Sequence, residues 1–493
     1  MRRLVNVLGI GLVAGAVVGL FEVAARGITG LPLPSELFAD WFLPTLPVNT
    51  FPADLGRLGG PTSAKELAFW GTFGFVVIVA VVASAAWEWL RVRPWGGRAA
   101  LVIILIVAVA VVAWLRPVLV ASYAGLPPRR AALATAAGLV VALVLLAYSI
   151  RVMRPPPRFD PGRRGILAAG SGLLLLAVTG GLASRLFRDG TFSYDGTRLL
   201  GPGRITVTPV ENFYVVTKNL IDPNVNTSLW HLDITGMVAA PLTLSIDQLR
   251  ALSAQTQQTT LECISNGVGY GLMSNGIWTG PQLRTLIERA RPAATAQFVE
   301  LQSVDGYIYT LPLNKALRSD VIVAHSMNGQ PLTRIHGAPA RAIVPGDYGE
   351  ASAKWLTRIS LLDQAVQGYY ERQGWQAGYI HTTSVIDQPT ATSVLRVAQR
   401  VAITGVAFAG NRGVSAVEVS TDGGQRWSPA RITYAPSPLA WTLWTTAWTP
   451  PRRGPVILVV RAYDGAGTPQ EATSHGFAPA GATGLFRVQV QVA

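Results

Sequence analysis

The sequence predicts a multi-domain chain: an N-terminal α-helical membrane bundle, a central α+β domain and a C-terminal all-β immunoglobulin-like sandwich. Three observations predict it. Half of the 493 residues are hydrophobic and only 14% are charged, and the long apolar runs responsible all lie before residue 190. Beyond that point charges and turn residues return, and helical pieces alternate with β-rich runs. Past about residue 385 the pattern is strands alone. The corresponding boundaries are 1–187, 188–385 and 386–493.

The apolar runs are five, at 4–24, 67–87, 99–115, 131–150 and 166–186. Each is near the ~20 residues a helix needs to cross the ~30 Å hydrocarbon core of a bilayer. Any one of them alone reads as a buried core helix; five in series favour membrane spans. With the N-terminus inside, the short inner flanks hold ten arginines, from Arg2 and Arg3 to Arg163 and Arg164. The outer loops hold six basic residues over a longer stretch, as the positive-inside rule requires. An odd number of spans then puts everything after about residue 187 outside.

Residues 1–165 hold 16 basic and 7 acidic residues, so +9 of the net +14 reflects topology. No basic stripe interleaved with aromatics is present, which argues against a nucleic-acid partner. All five histidines lie beyond residue 187, so the spans have no imidazole pair to hold a haem. Their ionisable residues, Glu22 and Glu88, sit at helix ends, where intramembrane charge would otherwise mark an ion path. This half reads as an anchor or docking platform.

In the central domain, "SIDQLRALSA" (245–254) and "GPQLRTLIERA" (280–290) read as helices and "QFVELQSVDGYIYTLPL" (297–313) as β structure. In the last hundred residues, "VAITGVAFAG", "VSAVEVSTDGGQRWSPARI", "WTLWTTAW" and "GPVILVVRAYDGAG" alternate as strands. Asp422, Gly423 and Gly424 form a hairpin turn signal, and the spacing suggests a sandwich.

The stretch "TTLECISNGVGYGLMSNGIWTG" (259–280) contains the only cysteine, Cys263, at the end of an expected strand. One cysteine cannot form an internal disulfide. Three readings stay open: an inert core thiol, a nucleophile beside a histidine, or a thiolate ligand to a soft metal. No motif near Cys263 supports the nucleophile. A metal held wholly by side chains would need a second cysteine or a spaced histidine pair, whereas a metal carried on an organic cofactor needs only one protein ligand.

Taken together, "WHLDITGMVAAPLTLSIDQLRALSAQTQQTTLECISN", "IWTGPQLRTLI", "VDGYIYTLPLNKAL", "VIVAHSMNGQPLTRIHGAPARAIVPGDYGEASAKWLTRISLLD" and "VEVSTDGGQRW" resemble the sulfite oxidase family of molybdopterin enzymes, from about residue 210 to the end. The resemblance implies a molybdenum held by a pterin dithiolene and by the sulfur of Cys263, which makes Cys263 both metal ligand and catalytic residue. It implies cofactor contacts from Lys218, Asn219, Asp305, His336, Arg341 and Lys354, with Arg341 and Lys354 supplying charge to phosphate and pterin. The bland readings are a structural histidine at 336, a surface arginine at 341 and an Asp-Gly turn at 305.

The chain also departs from the family. Arginines that surround the family's substrate oxyanion stand as Lys218, Val268 and Thr442; a histidine stands as Leu220 and a tyrosine as Trp375, so Lys218 and Trp375 take the catalytic positions. Losing guanidinium forks removes the bonds that select a dianion. Sulfite is therefore not the expected substrate, and a pocket lined by Leu220, Val268 and Trp375 suits a less charged molecule such as a sulfoxide. Arg163 and Arg164, just ahead of the last run, resemble a twin-arginine export signal.

The expectation is an oxygen-atom-transferring molybdoenzyme on the outer face of a bacterial cytoplasmic membrane. A separate electron-transfer protein or quinone-linked partner is implied, and a homodimer through the sandwich. The alternatives are a sulfoxide reductase and a cofactor-free membrane-tethered scaffold.

Overall fold

The computed structural model of the chain describes residues 2–30, 32–90, 128–152, 161–191, 205–376 and 378–493, with isolated positions between 102 and 113. The N-terminal region holds α1 (Arg2–Thr29), α2 (Pro34–Phe42), α3 (Phe51–Arg57), α4 (Pro61–Leu90), α5 (Pro128–Val152) and α6 (Pro161–Gly190). Four of these, α1, α4, α5 and α6, are long and apolar enough to cross a membrane, and they coincide with four of the five apolar runs. The run at 99–115 lies outside the described residues but for a few positions.

Helix α1 is the hub of the bundle, and its glycines are the reason. Gly11, Gly15 and Gly19 recur every fourth residue and so share one face. A Cβ on Gly11 would come within 2.6 Å of the Val81 Cα, and one on Gly172 of α6 within 2.8 Å of the Leu12 Cβ. Helix backbones therefore approach more closely than any side chain would allow, the packing mode of small residues spaced by four.

Three helix ends abut the central domain. Arg26 near the end of α1 donates to the Ile221 carbonyl at 3.0 Å, Phe69 near the start of α4 packs with Phe187 and Ile221, and the Asp222 amide donates to the Gly190 carbonyl of α6 at 2.7 Å. At the far end Ile10 and Ala14 pack against Ala80 and Ile150. Helix α4 thus ends, and α5 begins, at opposite ends of the bundle.

The central domain is built on a five-stranded sheet in the order Leu242–Leu244, Leu232–Gly236, Leu356–Leu362, Phe298–Ser303, Ile308–Pro312. Helix α7 (Ile246–Arg250) opens with a capping box in which Ser245 accepts from the Gln248 amide. Helix α8 (Leu283–Arg289) buries Leu283, Leu286 and Ile287 against Trp230, Leu232 and Val299 of the core. A second sheet pairs Gln255–Glu262 with Met273–Gly280 in an unbroken antiparallel register, and this hairpin carries the cysteine.

The C-terminal part is two sheets, of four and five strands, closed over Ile403, Val417, Trp444, Leu458 and Val490. Its first strand, Thr383–Gln388, pairs with Val401–Phe408, so the strands of this part begin just ahead of residue 386. The expected turn is present: the Asp422 carboxylate accepts from the amides of Gln425 and Arg426, both at 2.9 Å.

Candidate functional site

A cavity of about 1470 Å³ lies where the helices meet the central domain. It has three walls: loops of the central domain, the segment between α1 and α4, and lower down the facing sides of α4 and α5.

Cys263 follows the strand Gln255–Glu262 directly, where the hairpin loop begins. That loop is folded back by Asn266, whose amide donates to Glu262 Oε1 at 2.8 Å while its Oδ1 accepts from the Leu272 amide at 3.0 Å. The Cys263 amide closes the loop on the Leu272 carbonyl at 2.9 Å. The sulfur lies 3.1 Å from Ser265 Oγ and lines the cavity. Burial pushes its thiol up to about 11, despite the Ser265 hydrogen bonds. A metal is what would hold it as a thiolate at neutral pH. Among the described residues no group of three or more His, Cys, Asp or Glu could hold a metal ion, so any metal at Cys263 needs other ligands.

One side of the cavity is rich in donors. His336 ends the short turn Arg334–His336 and is buried, edge-on to Phe213 at 5.6 Å. Its Nε2 contacts the Val210 carbonyl at 2.9 Å. Burial pushes it down to about 4, against that hydrogen bond and with help from Arg341 and Lys354, so it is neutral at pH 7 and donates from Nε2. Arg341 donates to the carbonyls of His336 and Ser352 and stacks over Trp278 at 5.0 Å, and its Nε has no partner among the described residues. Lys354 has one long hydrogen bond, to the Ile335 carbonyl at 3.3 Å, and stands 4.3 Å over the Trp355 ring; burial pushes its ammonium down to about 8. Gly337 keeps this corner tight: its φ is +100°, and a Cβ there would stand 2.9 Å from the Lys354 Cβ. An unpaired guanidinium nitrogen beside a poorly satisfied ammonium fits an anionic group such as a pterin phosphate.

Lys218 is different. Its Nζ makes a 2.5 Å ion pair with Asp40 of α2, the two side chains only 4% and 8% exposed. Burial works against the charge, but Asp40 and then Asp305 outweigh it and raise the ammonium. The α1–α4 segment grips the domain elsewhere too, through Gln373, which donates to the Leu43 carbonyl at 2.6 Å and accepts from the Val48 amide at 3.0 Å.

Of the residues expected from sequence, Lys218, Cys263, Asp305, His336, Arg341, Lys354 and Trp375 all line this one cavity. Asn219 is buried and not on the wall; its amide donates to Asp305 at 2.9 Å, and its Oδ1 has no partner among the described residues. Asp305 is both things at once, a turn residue accepting from the Tyr307 amide at 3.1 Å and part of the wall. Leu220 and Trp375 line the cavity, and Trp375 stacks on Phe477 at 6.3 Å.

Val268 and Thr442 are not among the lining residues. The reason at 268 is the fold-back by Asn266, which turns the loop tip toward the C-terminal part, where Gly269 meets the Phe486 ring.

Sequence reasoning missed two carboxylates. Asp40 lies in a segment read as a plain outer loop. Glu350 lines the cavity with both oxygens unpartnered among the described residues, and burial, then Glu371 and Asp347, pushes it up to about 7.

These features set a cysteine sulfur in one cavity with under-satisfied cations suited to an anionic group, the donor set of a protein that supplies one ligand to a cofactor-borne metal. Comparison with known proteins agrees. The oxidoreductase molybdopterin binding domain matches residues 219–370, and the Mo-co oxidoreductase dimerisation domain matches 377–492. The chain is 28% identical over 279 residues to sulfite oxidase of Arabidopsis thaliana, covering 47% of this chain and 71% of that one. It is 31% identical over 146 residues to an uncharacterised oxidoreductase, YuiH, of Bacillus subtilis, covering 30% and 72%. Among solved structures, the sulfane dehydrogenase SoxCD from Paracoccus pantotrophus superposes with a TM-score of 0.51 at 26% identity, covering 55% of this chain and 75% of that one. The chain spans about a third of the fungal nitrate reductases and just over half of the animal sulfite oxidases that it also resembles.

The chain belongs to the sulfite oxidase family of molybdopterin-dependent oxidoreductases. It is an enzyme of that family, with molybdenum–molybdopterin as its cofactor.

Proposed function

We propose that this chain is a membrane-anchored oxidoreductase that transfers an oxygen atom to or from an uncharged substrate, with residues 188–385 catalytic and exposed on the outer face of a bacterial cytoplasmic membrane. The observation that carries the reading is the cavity that collects Cys263, the donors Arg341 and Lys354, and an already neutralised Lys218.

When bound, the cofactor supplies two-electron oxygen-atom exchange. Cys263 would hold the metal, and Arg341 and Lys354 the anionic parts of the pterin. Neutral His336, donating from Nε2 to Val210, keeps Nδ1 as an acceptor within the cradle. Asn219 positions Asp305 from behind the wall. Glu350, half-protonated near neutrality, is suited to hold or release the proton that accompanies exchange of oxygen with water.

Substrate choice follows from Lys218. A cation already answered by Asp40 offers little to a dianion, and Leu220, Trp375 and Phe477 add an apolar wall. A sulfoxide or similar organic oxo compound suits this wall better than sulfite in either direction of transfer, so sulfoxide reduction is the second reading.

Three helix ends meeting the domain on one side support an N-terminus on the opposite, cytoplasmic side. Arg163 and Arg164 lie in the first turn of α6, a position suited to a twin-arginine signal for export of a folded domain. Residues 386–493, matched by the dimerisation domain, are proposed to pair two copies. Electrons pass to a separate carrier, since the spans lack histidine.

The test is metal and pterin analysis of detergent-purified protein beside Cys263→Ser, followed by kcat/KM for sulfite and for neutral sulfoxides. About one molybdenum per chain with pterin, a changed metal spectrum in the variant and a preference for sulfoxides are expected. Metal-free, correctly folded wild-type protein would overturn the proposal.

A further inference from the structure

The catalytic cavity does not end at the central domain. The same cavity that holds the Cys263 sulfur runs down between α4 and α5, where Phe75, Val76 and Val79 face Leu139, Leu143 and Leu146. These residues belong to Pro61–Trp89 and Ala132–Val152, segments apolar and long enough to lie in hydrocarbon. Phe75 and Val79 are open rather than packed, at 63% and 39% exposed, and the other four are half-buried. A ligand dissolved in the bilayer reaches that lower part at hydrocarbon depth, without crossing the central domain.

The chemistry changes along the length. Next to the apolar section stand Phe38 and Phe42 of α2, stacked at 5.6 Å and both on the wall. Glu22 and Lys65 line the cavity at the same junction, and the cofactor cradle lies beyond. This order, a hydrocarbon slot, then aromatic rings with proton-carrying side chains, then the redox centre, matches a molecule with a long apolar tail and a flat polar head that takes up electrons and protons.

We infer that the cavity is a binding site for a bilayer-dissolved quinone, which docks its head at the Phe38–Phe42 junction with its tail between α4 and α5. The inference rests on the membrane-anchored reading above and identifies the electron acceptor left open there. The balance closes without a third reactant. A substrate that gains one oxygen atom from water releases two electrons and two protons, and a quinone takes up two electrons and two protons to become a quinol. No soluble electron-transfer protein is then required.

The test uses the full-length holoprotein in lipid nanodiscs. A quinone carrying its azido group on the apolar tail is photo-crosslinked and the labelled peptides are mapped by mass spectrometry, with decylubiquinone as competitor. Expected are labels on the 67–79 and 139–146 peptides that decylubiquinone suppresses, and a loss of at least about tenfold in decylubiquinone affinity on filling the slot with Val79→Trp or Leu143→Phe, with molybdenum per chain unchanged. Labelling spread over the lipid-facing helix surfaces and not suppressed would overturn the quinone site. So would suppression by a long-chain alkyl sulfoxide but not by decylubiquinone, which would make the slot a substrate entrance. Absence of molybdenum in the wild type would instead sink the catalytic reading, whatever the labelling pattern.

Discussion

Two lysines in one cavity have been given opposite circumstances. Lys354 has a single long backbone contact, and burial lowers its ammonium to about 8; Lys218 sits in a 2.5 Å pair with Asp40, and its ammonium is raised. The difference separates a cation kept for a guest from one already satisfied by the chain. On the function proposed above, it divides the cavity into an anion-receiving cofactor side and a charge-neutral substrate side, with Cys263 lining the same cavity.

The hardest way to break this division is Cys263→Ser. Oxygen replaces the soft sulfur ligand, and turnover is expected to fall by ~10⁴-fold or more, above 5 kcal/mol of barrier, with an altered metal spectrum. Next is Asp40→Asn, which leaves the Lys218 ammonium buried and unanswered. A loss of about 3–5 kcal/mol in unfolding free energy is expected, together with inhibition by sulfate that the wild type does not show. If thermal melts and sulfate titrations leave the variant unchanged, the ion pair does not set substrate charge.

Smaller effects sharpen the comparison. Lys354→Met is expected to weaken cofactor retention by about 1.5–3 kcal/mol, the worth of a charge-assisted hydrogen bond, measured as molybdenum per chain under limiting cofactor. The pH dependence has a definite sign. An ammonium whose pKa is about 8 before cofactor binds and higher afterwards takes up a proton on binding, so cofactor affinity should fall as pH rises above about 8. The cofactor-free protein should instead gain stability from about pH 8 upward, where the folded form sheds the proton that the unfolded form still holds. Last comes Glu350. If it accepts the proton released by water, the rate of substrate oxidation should climb as pH passes about 7, and Glu350→Gln should flatten that limb at a cost of order 1 kcal/mol. An unaltered profile would assign the proton to another group.

Much of the machinery was legible because it is local in the chain. The hairpin of Gln255–Glu262 and Met273–Gly280 sets Cys263 just past the end of its strand, and the block from His336 to Lys354 folds as a tight loop whose Gly337 must be glycine. Four apolar runs became helices, each extending beyond its run, for the same reason, since a long apolar run carries its own signal. Val268 failed because a loop tip's direction depends on the Asn266 fold-back and on Phe486, more than two hundred residues away. Asp40 was illegible because nothing in "PSELFADWF" marks its carboxylate as the partner of a lysine 178 residues later.

By itself the sequence determined the division into apolar and mixed regions, the family, the cofactor type and the few wall residues, such as Cys263, His336, Arg341 and Lys354, that lie in the family's motifs. Those depend on composition, period and short-range motifs. Tertiary structure alone decided that the α1–α4 segment walls the cavity, that Asp40 pairs with Lys218, and that burial raises the Glu350 carboxyl. Charge pairing and desolvation depend on distances across the folded chain, and no one-dimensional pattern encodes those distances.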